Sequence, residues 1–70
     1  MMTLYTSRKR FAIMHNVGVT CVPVPGTGTC VYRIMHGSLD IRTYANAQAA
    51  FAMAEKINKA FLGGQLRMTI

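Results

Sequence analysis

The side chains able to do chemistry in this chain are few. Cys21 and Cys30 are its only thiols, His15 and His36 its only imidazoles, and Asp40 and Glu55 its only carboxylates. A cysteine nucleophile needs a histidine within hydrogen-bond reach and a third group to orient it. Cys30 and His36 fall on one predicted strand, about 20 Å apart at ~3.3 Å per residue, so they form no dyad within one chain. Cys21 and Cys30 read as small apolar side chains that flank a turn on one face, where a disulfide could span them and a reducing compartment would keep it open. No CxxC and no HxxxH spacing is present, so no metal site is expected. Two carboxylates leave almost no room for a paired-carboxylate hydrolase, an EF-hand or a two-metal nuclease. Gly26-Thr27-Gly28 lacks the Lys-Ser/Thr and the helix that a phosphate loop requires, and joins two strands instead. The expectation is a non-enzymatic protein with no cofactor.

What remains is positive charge. Eight Lys and Arg against two Asp and Glu give a net charge of +6. Arg33 and Arg42 are predicted directly opposite each other on the exposed face of a hairpin, where like charges are unfavourable unless something offsets them. Asp40 offsets only part. Tyr44 is placed on that face too, able to stack on a base. Arg8, Lys9 and Arg10 are expected to extend the same side. Arg33, Arg42, Tyr44, Arg8, Lys9 and Arg10 are therefore the candidate binding residues, and the partner they fit is a nucleic acid or an acidic protein surface.

The elements that hold these residues follow from periodicity. Phe11, Ile13 and His15 alternate with Arg10, Ala12 and Met14, which suggests an extended N-terminal segment. Asn16 and Gly18 mark a turn or bulge. Val17, Val19 and Cys21 point to one side of a strand that Pro23 either confines to an edge or ends. Pro25-Gly26-Thr27-Gly28 turns into a strand from about Thr29 to His36. Gly37-Ser38 is a type II′ hairpin signal, and a third strand runs from Leu39 to Thr43. That hairpin predicts His36 opposite Leu39, Ile34 opposite Ile41 and Tyr32 opposite Thr43 on the buried face. Thr43 then caps a helix of about 18 residues. Its stripe is Ala47, Ala50, Phe51, Ala54, Ile57 and Phe61, and Gly63-Gly64 ends it. Leu66, Met68 and Ile70 alternate in a final strand. The fold class is α+β: a small antiparallel sheet in the order β-β-β-α-β, an additional N-terminal strand, and one long helix across one face. Tyr32, Ile34, Leu39, Ile41, Phe51, Ile57 and Phe61 are the expected core.

Seventy residues form a single domain, residues 1–70, with a marginal core. No run is long enough for a membrane span, and Arg8, Lys9 and Arg10 do not lead into a proper signal-peptide core, so a cytoplasmic location is expected. The alanine stripe, the marginal core and the apolar last strand point to a homodimer.

The segment from Ile41 to Gly63, with the strands before it back to Thr29, resembles the DNA-binding domain of plant ethylene-response factors and the arm-binding domain of some phage integrases. In those, three antiparallel strands precede a Thr-led, Ala-rich helix, and arginines on the free sheet face enter the major groove. The family's tryptophans are absent from this chain. The resemblance implies Arg33 and Arg42 as the reading residues. The leading functional expectation is a binding module that acts on nucleic acid or on a nucleic-acid-handling complex. The alternative is a phage or mobile-element inhibitor of host defence, anti-CRISPR-like in its small, basic α+β character, that occludes a protein partner.

Overall fold

A computed structural model describes all 70 residues. The α+β class holds, with six strands and one helix: β1 (Met2–Tyr5), β2 (Arg10–Ile13), β3 (Gly18–Val24), β4 (Thr29–His36), β5 (Leu39–Tyr44), α1 (Ala47–Leu62) and β6 (Arg67–Thr69). The strands form two sheets rather than one. Sheet A has the order β2-β1-β6 and sheet B the order β3-β4-β5. Sheet B is antiparallel, whereas β6 joins β1 in parallel, with Leu4 beside Met68. The final strand thus pairs within the chain, as the outer strand of sheet A.

The Gly37-Ser38 hairpin forms as its chemistry requires. Gly37 has φ +62°, a conformation only glycine adopts without strain. His36 pairs with Leu39 and Met35 with Asp40, as the turn dictates. Beyond that the register slips by one residue. Ile34 lies opposite Arg42, Arg33 opposite Thr43 and Tyr32 opposite Tyr44, leaving Ile41 as the extra residue of a β-bulge. In a bulge two consecutive residues face one partner, so Ile41 and Arg42 share a side. Thr43 therefore lies within β5, and Asn46 caps the helix instead, its Oδ1 accepting from Ala49 N–H at 3.2 Å. The helix is 16 residues long, and Gly63 and Gly64 end it through N–H bonds to the Lys59 and Phe61 carbonyls.

Helix α1 lies on the face of sheet B that carries Val17, Val19, Ile34 and Ile41. Ala50 and Ala54 let it approach closely, and Ile57 inserts fully. The alanine stripe is therefore used inside the chain. Met2 and Leu4 of β1 and Ile13 of β2 seal the other end of the same core. Of the expected core, Ile34, Ile41 and Ile57 are buried, and Phe61 packs at the edge. Phe51 and Leu39 are more than half exposed, which corrects their assignment to the core. Phe51 sits about 100° around the helix from Ala50, and sheet B is too narrow to cover both.

The molecule measures 41 × 21 × 19 Å. Its radius of gyration, 12.4 Å, exceeds the roughly 11 Å of a compact chain this size. The excess length is the β3–β4 hairpin, where Cys21, Pro23 and the turn residues run past the cover of the helix into solvent. Cys21 and Cys30 do share a face there, diagonal across the ladder, and both are free thiols. A hydrogen bond with Cys30, with a smaller contribution from desolvation, pushes the Cys21 thiol above its ordinary pKa. Its thiolate is disfavoured.

Two side chains lock the ends of sheet B. Asn58 Oδ1 accepts from Val17 N–H at 2.7 Å, and its Nδ2 donates to the Val17 carbonyl at 3.1 Å. One amide thus replaces a missing neighbouring strand at this position. Asn58→Ala strands both backbone groups in a partly buried position and should cost about 1–3 kcal/mol, read as a lower urea midpoint.

The second lock is an imidazole pair. His36 Nε2 accepts from Met14 N–H at 3.1 Å, and His15 stacks on the His36 ring with centroids 3.9 Å apart. His15 Nδ1–H donates to the Asn16 carbonyl. Desolvation, and then the charge of His15, hold the His36 pKa below its usual 6.5. The unfolded chain therefore binds more protons below pH 6.5, so stability falls as pH drops through that value. Melting temperature should decline from pH 7.5 to 5.5, and His36→Gln, which keeps an acceptor for Met14, should flatten the decline.

Candidate nucleic-acid interface

The cations expected on one surface are distributed over three. Arg33 sits on the outer face of sheet B, its Nε 3.4 Å from Asp40 Oδ2. Arg42 is carried by the bulge to the helix side, where its Nη1 donates to Tyr44 OH at 3.4 Å. Tyr44 packs against the core there. Arg33 and Arg42 are therefore not opposite each other, and Tyr44 does not share the face of Arg33. Arg8, Lys9 and Arg10 belong to sheet A and do not extend the surface of sheet B.

Sheet A brings together what sequence reasoning keeps apart. The turn between β1 and β2 is fixed by Thr6. Its N–H and hydroxyl both donate to the Lys9 carbonyl, at 2.8 and 3.0 Å, and its Oγ1 accepts from Lys9 N–H at 3.0 Å. This local hydrogen bonding lets three consecutive cations, Arg8, Lys9 and Arg10, stand exposed at a tight hairpin tip. Period-2 alternation then sorts the sheet. Met2, Leu4, Phe11, Ile13 and Met68 face the core. Thr3, Tyr5, Arg10, Ala12, Arg67 and Thr69 face outward.

Across this outer face the register sets Arg10, Tyr5 and Thr69 in one row and Ala12, Thr3 and Arg67 in the next. Neighbouring strands lie ~4.8 Å apart, so the half-buried Tyr5 ring sits between an arginine on its own row and one on the adjacent row. Neither carboxylate of the chain is near. Asp40 is in β5 and Glu55 in α1, each paired, the latter with Lys59 at 3.5 Å. Arg8, Lys9, Arg10 and Arg67 have no acidic side-chain partner, so the charged side chains of this sheet are all cationic. An open depression on this face is lined by Thr3, Tyr5, Arg10 and Ala12.

Arg67 and Tyr5 escape a reading of the sequence as binding residues. The alternation of Leu66, Met68 and Ile70 does place Arg67 on the polar side of a strand, but nothing local names β1 as that strand's partner. No family model, curated protein or solved structure matches this chain.

Proposed function

We propose that this protein is a non-enzymatic module that binds single-stranded nucleic acid across the outer face of sheet A. The phosphates lie along Arg8, Lys9, Arg10 and Arg67, and a base stacks on Tyr5. The observation that carries this reading is the placement of Tyr5 among four unpaired cations on a sheet with no side-chain carboxylate. An aromatic platform inside a positive groove or face is the arrangement that holds unstacked bases without reading sequence. A duplex offers no free base face to Tyr5, and phosphate contact alone would favour the duplex for its higher charge density, so a preference for the single strand reports the stacking.

The test is fluorescence anisotropy of short labelled oligonucleotides, single-stranded and duplex, over a salt series. Four phosphate contacts predict a slope of log K against log salt of about −2 to −3 for a single strand. Arg33→Gln with Arg42→Gln should leave that slope unchanged, because neither lies on sheet A. Absence of salt-dependent binding, together with a partner retained from lysate after nuclease treatment, would replace this reading by occlusion of an acidic protein surface.

A further inference from the structure

We propose that the open edge of β3 pairs antiparallel with β3 of a second copy of this chain, in the register that sets Thr20 opposite Thr20. The inference stands apart from the nucleic-acid reading, since it uses the opposite sheet and no cation.

The free edge has a defined length. Strand β3 is the outer strand of sheet B, hydrogen-bonded to β4 on one side only. Val17 turns its N–H and C=O away from β4, because Asn58 of the helix takes both. Strand alternation makes Val19 and Cys21 the next residues to present both groups outward. Pro23 follows and has no N–H. The open ladder is therefore Val19 and Cys21, closed at one end by Asn58 and at the other by Pro23.

A two-fold axis at Thr20 matches these limits. It sets Val19 of one copy against Cys21 of the other, twice, for four main-chain hydrogen bonds. The next pair outward would be Val17 with Pro23, where one residue is already satisfied and the other cannot donate. The ladder ends where both strands run out of groups. Thr20 meets Thr20 at the closely spaced, non-hydrogen-bonded position, a favourable cross-strand pair.

The side chains agree. Beside this edge an apolar groove runs between β3 and the helix, lined by Val17, Val19, Phe51, Ala54, Asn58 and Leu62. Phe51 is 59% exposed and Leu62 71%. In the Thr20 register, Cys21 and Pro23 of the second copy lie over this groove and cover Phe51.

Charge selects a second copy as the occupant. A chain of net charge +6 repels itself over most of its surface. Gly18–Val24 carries no charge, and the ionic residues on the groove rim, Glu55 and Lys59, pair with each other at 3.5 Å. A nucleic acid or acidic protein finds no free cation here, whereas two copies meet through neutral surface.

Sedimentation equilibrium of the full chain from micromolar to millimolar concentration should give a reversible dimer. Phe51→Lys should weaken it at least tenfold with an unchanged monomer far-UV spectrum. Cys21→Pro, which removes an edge N–H outside the intrachain ladder, should do the same. Thr20→Cys in a Cys21→Ser, Cys30→Ser background reads the register without relying on affinity. Oxidised glutathione, which accepts the two electrons and two protons, should convert it to a covalent dimer, while Val22→Cys in that background forms no covalent dimer. A monomer at every concentration would overturn the proposal and leave the edge to a foreign strand. Cross-linking at Val22 and not at Thr20, or a dimer indifferent to Phe51→Lys, would overturn it equally.

Discussion

Ile57→Ala is expected to lower the folding free energy by about 2–5 kcal/mol, more than any truncation on the surface of this molecule. Ile57 is fully buried where α1 meets sheet B, beside Ile34 and Ile41. A core in a chain this short rarely supplies more than about 3–5 kcal/mol in total. The variant should therefore be substantially unfolded at 25 °C, seen as lost cooperativity in urea titrations followed by circular dichroism. Leu66→Ala, at a side chain 79% exposed, should stay within about 0.5 kcal/mol. Equal midpoints for the two variants would mean that the helix is not seated as described.

The largest functional effect is expected at Tyr5. Loss of one stacked base costs about 1–3 kcal/mol, so Tyr5→Ala should weaken single-strand binding roughly 5- to 150-fold. Tyr5→Phe should retain most of it, because the ring face and not the hydroxyl carries the contact. Arg10→Gln with Arg67→Gln has a different signature. It should reduce the salt slope by about 1 to 1.5, whatever the base composition of the oligonucleotide. Binding that survives Tyr5→Ala but loses its salt dependence with the arginines would reduce the site to phosphate attraction alone.

The legible parts of this fold are those fixed by neighbours in sequence. Gly37-Ser38 sets its hairpin, Pro25 to Gly28 sets the next, and the apolar period together with Gly63-Gly64 sets the helix. The illegible parts turn on a single residue or on a distant partner. The Ile41 bulge leaves no mark in local pattern, since Ile41 and Arg42 look like an ordinary alternating pair. Yet it moves Arg42 to the helix side and separates it from Arg33. Phe51 misleads for a related reason: periodicity gives the direction of an apolar stripe but not the width of the sheet that meets it. The candidate site is the least legible part. Arg8, Lys9 and Arg10 are visible as a cluster, but Tyr5 and Arg67 join them only through pairing between the first and last strands. The arginines implied by the likeness to ethylene-response-factor domains, Arg33 and Arg42, lie on opposite sides of sheet B.

That parallel pairing of β1 with β6 also orders the folding reaction. The three strands of sheet B and the helix are contiguous in sequence, so their ladders close over short loops and form early. Thr3 can meet Arg67, and Tyr5 can meet Thr69, only after nearly all of the intervening chain has been arranged. Loop-closure entropy rises slowly with length, but no local contact offsets it at this joint, because a parallel pair has no hairpin to nucleate it. The β1–β6 joint is thus the last to close and the first to open, whereas the β1–β2 hairpin is local. Amide protons bonded across the β1–β6 joint should exchange by sub-global opening while those of β4 and α1 exchange only on complete unfolding. Occupation of the Tyr5 face by a ligand would then slow exchange at both ends of the chain together, by holding shut the joint that folding completes last.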